Sequence, residues 1–261
     1  MKIYKANTIW KDSFPELLSM WEESGYCEIV KSDERCSWAK EVGDVLLFEH
    51  DRADHLPKSW NVALFANQIH VGKNTSPWIY WGRHPRNIEK VIDEGILNYS
   101  ERDIESIFLG KVENAIQYEN RTRYDWSSAV QVFSMPIELG ISGQHRLPNM
   151  DYLRMIKRAK FGLCLPGHGP KCQREIELLS LGVVPIITPG VDTNYYEKLE
   201  KGVHYLYAEN PQQAVEVARE CRKERWRGMS VAGLDWYERN CSRRHSFNRT
   251  VDIINELKNK Q

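Results

Sequence analysis

The chain has 261 residues, of which 36 are lysine or arginine and 36 are aspartate or glutamate, so its formal net charge is zero. This balance removes the simple electrostatic argument for a nucleic-acid-binding protein, which usually carries a basic excess. Hydrophobic residues make up 41% of the chain, an ordinary globular composition that supports one large domain or two small ones.

No secretory signal is recognisable at the N-terminus, and no apolar run approaches the ~18 residues of a transmembrane helix. We therefore expect a soluble, cytoplasmic protein with no transmembrane segment. The six cysteines form no CxxC pair, and we expect free thiols rather than disulfides or a zinc site.

The first hundred residues consist of short apolar runs separated by polar turns, a pattern typical of β-strands. The predicted strands are Lys2–Lys5, Tyr26–Val30, Asp44–Phe48, Val62–Phe65 and Trp78–Trp81. Apolar residues at helical spacing predict two helices in the same region, Phe14–Glu23 and Asn87–Asn98.

The rest of the chain alternates more regularly between strands and helices. The predicted strands are Ile104–Leu109, Ala129–Phe133, Phe161–Leu165, Val183–Thr188 and His204–Tyr207. The predicted helices are Met150–Lys160, Lys171–Leu181, 193–201, Pro211–Trp226 and Ser246–Lys258. Such alternation indicates parallel strands joined by crossover helices, which is an α/β fold.

A polar stretch at Tyr99–Asp103 is the predicted hinge between two lobes. The predicted domains are an N-terminal lobe over residues 1–100, a C-terminal lobe over 101–245, and a C-terminal helix over 246–261. Ligands of open α/β sheets bind outside the carboxyl ends of the strands. Site residues are therefore expected in the loops that follow strands.

The segment FGLCLPGHGPKCQREIELLSLGVVPIIT, residues 161–188, has the order strand, glycine turn, helix, strand. Gly167 and Gly169 permit a sharp turn and close backbone approach to a ligand. The following helix N-terminus, with Lys171 and Arg174, offers N–H groups and positive charge to a phosphate. Glu177 lies three residues after Arg174 on the same helix face, where a carboxylate can accept hydrogen bonds from ribose hydroxyls.

Together these groups suit the diphosphate and ribose of a nucleotide sugar. A solvated surface pair between Arg174 and Glu177 is the alternative, because arginine and glutamate are often found at this spacing on helix surfaces. Spacing alone leaves both interpretations open.

The same residues resemble the signature of exostosin-like glycosyltransferases. In that family a strand and turn precede an arginine, a glutamate follows three residues later, and a Gly-x-x-Pro sequence comes shortly after. Arg174, Glu177, Gly182 and Pro185 fall at this spacing. The segment SIFLGKVENAIQYENRTR resembles the family's Phe-x-Gly strand followed by a phosphate-contacting arginine, and the resemblance covers about residues 104–195.

The upstream helix, with Tyr152 and Lys160, matches the family as well. The resemblance implies a GT-B architecture of two Rossmann-like lobes. It places the nucleotide sugar on the C-terminal lobe and the acceptor on a minimal N-terminal lobe. It also implies transfer that inverts the anomeric centre without a metal.

For the site, the resemblance implies that Arg174 binds the diphosphate and Glu177 the ribose. Lys111 and either Arg121 or Arg123 would add phosphate contacts. The amino-acid sequence of residues 161–188 is most similar to that of xylosyltransferases of large algal DNA viruses. That similarity implies UDP-xylose as the donor, a glycan or glycoprotein as the acceptor, and the host-cell cytoplasm as the location. The UDP-sugar is a co-substrate, and no cofactor is implied.

An inverting transferase needs a base that removes the proton of the acceptor hydroxyl. Asp51 and His55, in the loop after the strand Asp44–Phe48, are the first and second candidates, and His84 is the third. A solvated polar loop is the alternative for each of them. Glu49 and Asp51 also resemble the metal-binding acidic triplet of the other glycosyltransferase architecture, but no Asp-x-Asp occurs and we expect no metal site.

Two rival functions are a non-catalytic glycan- or nucleotide-binding protein with the same fold and a Rossmann-type methyltransferase. A methyltransferase needs its glycine-rich turn after the first strand of the cofactor lobe. Gly167 and Gly169 come late in the predicted lobe, which argues against that activity.

Overall fold

The computed structural model describes residues 2–5, 13–31, 45–48, 62–65, 75–77, 82–140, 147–167 and 169–259. Internal contacts divide the chain into two compact units. The first unit comprises Met1–Pro85, Asn194–Lys198 and Arg239–Gln261. The second unit comprises Arg86–Thr193 and Leu199–Glu238.

The domain limits predicted from the sequence, 1–100, 101–245 and 246–261, stay a prediction. The first change between the two compact units falls between Pro85 and Arg86. The predicted hinge Tyr99–Asp103 contains a short 3₁₀ helix, Tyr99–Glu101, within the second unit.

Short strands rich in apolar residues form the sheet of the first unit. They are β1 (Lys2–Lys5), β2 (Glu28–Lys31), β3 (Val45–Phe48), β4 (Val62–Phe65) and β5 (Thr75–Pro77). Within the described residues their order is β2-β1-β3-β4-β5, and every pair is parallel. The predicted strands up to residue 65 are confirmed, whereas Trp78–Trp81 lies outside the described residues.

Two helices of the first unit pack through one buried tryptophan. Helix α1 (Ser13–Glu23) buries Leu17 and Trp21, which lie four residues apart on one face. The Trp21 Nε1 donates to the Ser246 Oγ at 3.0 Å, and its ring meets the Phe247 ring edge-on. Because Ser246 and Phe247 belong to the C-terminal helix (Arg243–Asn259), the chain's last helix completes the first unit.

The sheet of the second unit has the same parallel character. Its strands are β6 (Ile104–Leu109), β7 (Val132–Ser134), β8 (Ala159–Cys164), β9 (Val184–Ile187) and β10 (Leu206–Tyr207). Within the described residues the order is β10-β9-β8-β6-β7. Phe108, Phe161, Leu163 and Ile186 are buried along the central strands, as in a parallel sheet covered on both faces.

Helices alternate with these strands. They are α2 (Pro85–Asp93), α3 (Ala115–Thr122), α4 (Asn149–Lys157), α5 (Gln173–Ser180), α6 (Pro211–Glu220) and α7 (Lys223–Cys241), and α8 is the C-terminal helix (Arg243–Asn259). Alternation of strand and helix around a parallel sheet confirms the predicted α/β class. Among the described helices, none combines the length and apolar character that a membrane span requires.

Two helix predictions are wrong. The segment 193–201 contains no helix but a turn, in which the Leu199 N–H donates to the Thr193 carbonyl at 3.1 Å. Thr193 and Asn194 have side chains that compete with the backbone for hydrogen bonds and disfavour helix interiors. The single helix predicted over Pro211–Trp226 is two helices, because Cys221 leaves helical backbone geometry at ψ 87°.

Arg102 ties together the amino ends of the strands in the second unit. Its Nε donates to the Leu97 carbonyl at 3.2 Å, and its Nη1 donates to the Lys157 and Ala159 carbonyls at 2.8 Å each. Its Nη2 donates to the Leu181 carbonyl at 2.8 Å. Burial lowers the pKa of Arg102 to about 10, and the charge is retained at neutral pH. One guanidinium thus satisfies four carbonyls.

Replacing Arg102 by alanine is expected to lower the free energy of unfolding by about 4 kcal/mol, because buried carbonyls lose their donor. Urea denaturation of the purified variant measures this loss. Arg154→Ala is the matched control, since Arg154 is half-exposed in its ion pair with Glu94 and should cost no more than about 1 kcal/mol. Equal losses in the two variants would contradict the role assigned to Arg102.

Candidate functional site

The carboxyl ends of β6, β8 and β9 lie side by side at one edge of the second sheet. Ile107 is in register with Gly162, and Cys164 is in register with Ile187. The loops and helices that follow β6 and β8 carry the predicted donor-site residues. Parallel strands therefore bring together groups that are far apart in the sequence.

Arg174 lies in the first turn of α5, and its guanidinium reaches the end of β6. Its Nη2 donates to the Leu109 carbonyl at 2.7 Å, and the guanidinium carbon lies 4.3 Å from the centre of the Phe108 ring. A Cβ on Gly110 would lie 2.6 Å from the Phe108 ring and 3.0 Å from this Nη2, so glycine leaves space for both side chains. The Nη1 is buried and has no hydrogen-bond partner among the described residues, and a phosphate oxygen would satisfy it.

Arg121, on α3, holds the two neighbouring loops together. Its Nε donates to the Pro166 carbonyl at 2.7 Å, and its Nη1 donates to the Lys111 carbonyl. Burial, together with the charge of Arg174, lowers the pKa of Arg121 to about 10. Two buried guanidinium groups therefore repel each other at this edge, and a bound anion would relieve that repulsion.

Arg123, the alternative to Arg121, lies elsewhere. It is exposed, and its guanidinium lies 5.6 Å from the centre of the Tyr124 ring. The structure thus brings Arg121, but not Arg123, to the loops that also carry Lys111 and Gly167.

The glycine turn after β8 is packed against the start of α5. A Cβ on Gly167 would lie 2.7 Å from the Cys172 Sγ and 3.5 Å from the Arg121 Nη2, so only glycine fits without a shift. A Cβ on Gly169 would meet nothing within 4 Å, so space does not require glycine there. Gly167 is the glycine that allows the close approach of loop, thiol and arginine.

The two predicted lysines each face a carboxylate. The Lys171 Nζ lies 3.1 Å from the Asp192 Oδ2, and both side chains are buried. The Lys111 Nζ lies 2.9 Å from the Glu113 Oε2. Because these pairs are close to neutral, the lysines add less net positive charge to this edge than the arginines do.

Glu175 caps the start of α5 with its own carboxylate. Its Oε2 accepts a hydrogen bond from the Cys172 N–H at 2.8 Å. Burial raises the pKa of Glu175 to about 7, although the charge of Arg174 opposes this shift. Since the carboxyl group is only partly ionised near neutral pH, it offsets less than one full positive charge of Arg121 and Arg174.

Glu177 and Arg174 lie on the same face of α5, and only 4% and 9% of their surfaces are exposed. The alternative of a solvated surface pair is therefore wrong. The Tyr152 hydroxyl, on α4, donates to the Glu177 Oε2 at 2.9 Å. Burial, followed by the charge of Glu177, raises the pKa of Tyr152 well above its usual value, so the hydroxyl keeps its proton.

Of the three candidate bases, Asp51 and His55 lie outside the described residues. His84 is described and lies just before α2 in the left-handed region, with φ at 54°, which is uncommon for a residue other than glycine. Its Nδ1 lies 3.2 Å from the Glu16 Oε2 on α1, within the first unit. This contact could not be predicted from the sequence, because 68 positions separate the two residues.

No group of three or more histidine, cysteine, aspartate or glutamate side chains arranged for a metal ion occurs in the described part of the chain. Glu49 and Asp51, the acidic residues considered as metal ligands, lie outside it.

Comparisons with protein-family models and with curated protein sequences gave no match. Comparison with solved structures gave matches over the whole chain. HepE of Anabaena in complex with UDP-glucose is 11% identical, with a TM-score of 0.52 and coverage of 100% of both chains. HepE in complex with UDP and glucose is 10% identical, with a TM-score of 0.52 and coverage of 97% of this chain and 98% of HepE.

A glycosyltransferase from Rickettsia africae is 8% identical, with a TM-score of 0.51 and coverage of 98% of both chains. Likeness at such low identity establishes the fold. The chain therefore has two Rossmann-like lobes of the GT-B glycosyltransferase architecture, and the predicted fold class is confirmed.

Proposed function

We propose that the protein is a glycosyltransferase that moves a sugar from a nucleotide-sugar donor to a hydroxyl of a glycan or glycoprotein. The observation that carries the proposal is the buried pair Arg174 and Glu177 on one face of α5, at the carboxyl edge of a parallel sheet. A guanidinium with an unpartnered buried Nη1 suits a diphosphate, and a carboxylate one turn further along suits a ribose.

The donor is proposed to be a UDP-sugar. Two structures of HepE, which shares the fold, contain UDP-glucose or UDP and glucose. The sequence resemblance to exostosin-like enzymes supports the same class of donor. UDP-xylose is the first donor to test, because the sequence of residues 161–188 resembles that of the viral xylosyltransferases.

In the proposed reaction, the acceptor oxygen attacks C1 of the sugar as the bond from C1 to the diphosphate oxygen breaks. A base takes the acceptor proton, the configuration at C1 inverts, and UDP leaves. Arg121 and Arg174 stabilise the negative charge that develops on the departing diphosphate.

Asp51 is the first candidate for the base, and His55 the second, on the sequence. His84 is the third candidate for the base, and its contact with Glu16 supports this role. A carboxylate beside Nδ1 fixes the orientation of an imidazole, as a general base requires. A left-handed residue that is not glycine is also typical of sites where backbone strain serves function.

Metal-independent transfer is the next part of the proposal. Turnover in the presence of excess EDTA is expected to stay within a few-fold of the untreated rate, because arginine charges serve the leaving diphosphate. The check is a rate measurement with EDTA and after addition of Mn²⁺. Loss of activity with EDTA that Mn²⁺ restores would contradict this part and would favour Glu49 and Asp51 as metal ligands.

A panel of nucleotide sugars tests the proposed function. Thermal shift should show stabilisation by UDP and by at least one UDP-sugar, and that donor should release UDP faster when a glycan acceptor is added. Binding without acceptor-dependent release would indicate a non-catalytic binding protein. Stabilisation by S-adenosylmethionine, with none by nucleotide sugars, would indicate a methyltransferase.

A further inference from the structure

Tyr152 lies beside Glu177, the residue proposed to bind the ribose of the donor. Its side chain comes from α4, whereas Arg174 and Glu177 come from α5. The hydroxyl donates to the Glu177 Oε2 at 2.9 Å, and the charge of Arg174 is near enough to act on the same hydroxyl. All three side chains are at least nine-tenths buried.

This contact limits how the Glu177 carboxylate can turn. A carboxylate has about four acceptor positions, and a tyrosine donor on one oxygen uses one of them. A carboxylate oriented in this way can present oxygen lone pairs to the vicinal hydroxyls of a ribose, the role that the proposed function gives to Glu177. In a buried site, a donor fixed on the second helix holds the carboxylate in one orientation before the ligand arrives.

We propose that Tyr152 is a positioning residue that orients Glu177 and thereby makes the site selective for ribonucleotides over deoxyribonucleotides. This inference rests on the proposed function. Tyr152 touches neither the phosphates nor the sugar in this assignment, and it acts through the carboxylate of Glu177. The selectivity should therefore appear only with ligands that carry ribose hydroxyls.

The test is calorimetric titration of wild type and Tyr152→Phe with UDP and with 2′,3′-dideoxy-UDP. The variant should bind UDP about 10-fold more weakly, because the Glu177 carboxylate must then be ordered when the ligand binds. Its affinity for the dideoxy ligand should change by less than about twofold. In a Glu177→Gln background, Tyr152→Phe should add little further loss, because the two residues act as one unit.

Tyr99→Phe is the matched control. Tyr99 lies before β6 at the opposite edge of the same sheet, where its ring contacts the Lys160 ammonium at 4.4 Å. The Tyr99→Phe substitution removes one hydroxyl from the same unit and should leave the affinity for both ligands unchanged. If Tyr152→Phe does not fold, 4-fluorophenylalanine at position 152 fills the same volume without a donor, and the same ligands are measured.

Each outcome decides one question. Unchanged UDP affinity in the folded variant, or an equal loss for UDP and the dideoxy ligand, overturns the role of Tyr152 and leaves the proposed function standing. Failure of the wild type to bind any nucleotide sugar overturns the proposed function and this inference with it.

Discussion

Asp51→Asn is expected to lower acceptor-dependent turnover by about 10²–10⁴-fold, the usual contribution of a general base. UDP affinity should stay within about twofold, because the proposed donor contacts come from the second unit and Asp51 belongs to the first. The change removes a charge and keeps the shape of the side chain. Measuring UDP affinity and turnover on the same preparation tests both parts.

Normal turnover in Asp51→Asn would remove Asp51 from the chemistry, and His84→Asn would then be the more informative variant. Asparagine tolerates the left-handed backbone that His84 adopts, so the fold should be preserved. If His84 is the base, Glu16→Gln should also slow turnover, since the carboxylate beside Nδ1 is lost. His55→Asn completes the set. Full activity in Asp51→Asn, His84→Asn and His55→Asn would exclude all three candidates.

Arg174→Ala is expected to weaken binding of UDP and UDP-sugars by about 10–150-fold, which corresponds to about 1.5–3 kcal/mol for a lost charge-assisted contact. Arg174→Lys should recover only part of the affinity, because an ammonium keeps the charge but loses the planar fork. Calorimetry on folded protein provides the values.

Arg158→Ala is the control for Arg174. Its guanidinium is half-exposed in an ion pair with Asp103, and it follows α4 at the amino edge of the sheet. It should bind UDP as the wild type does. If Arg174→Ala is folded and binds UDP normally, Arg174 has no part in the site. The buried contact with Leu109 makes a check of folding by circular dichroism essential.

The sheets were predictable from the sequence because each strand is a short apolar run bounded by turn residues. Val184–Ile187 and Ile104–Leu109 are found as predicted or nearly so. Helix α3 was missed because its sequence, AIQYENRT, is polar and buries few residues. The break between α6 and α7 was missed because no proline or glycine marks it, and Cys221 ends the helix through its backbone angles alone.

The local part of the donor site could also be predicted. Arg174 and Glu177 share a helix face because they are three residues apart, and the pattern around Gly167 identifies the preceding turn. What could not be predicted is which groups other elements bring to them. Tyr152 lies 25 positions from Glu177, and the partner of Lys171, Asp192, follows a different strand.

The partners of the buried charged side chains could not be predicted from the sequence either. Periodicity gives the exposed and buried faces of a helix but not the partner that each buried charge finds. Lys171 was expected to face phosphate because it is a cation near a helix start. The structure shows it buried beside a carboxylate, so the main positive groups at this edge are Arg121 and Arg174.

A crystal structure of the protein with bound UDP tests the central proposal most directly. We expect diphosphate oxygens within about 3 Å of the Arg174 guanidinium, and ribose hydroxyls within the same distance of the Glu177 carboxylate. UDP bound at another place, or no UDP bound after soaking at millimolar concentration, would contradict the assignment of the carboxyl edge of the second sheet as the donor site.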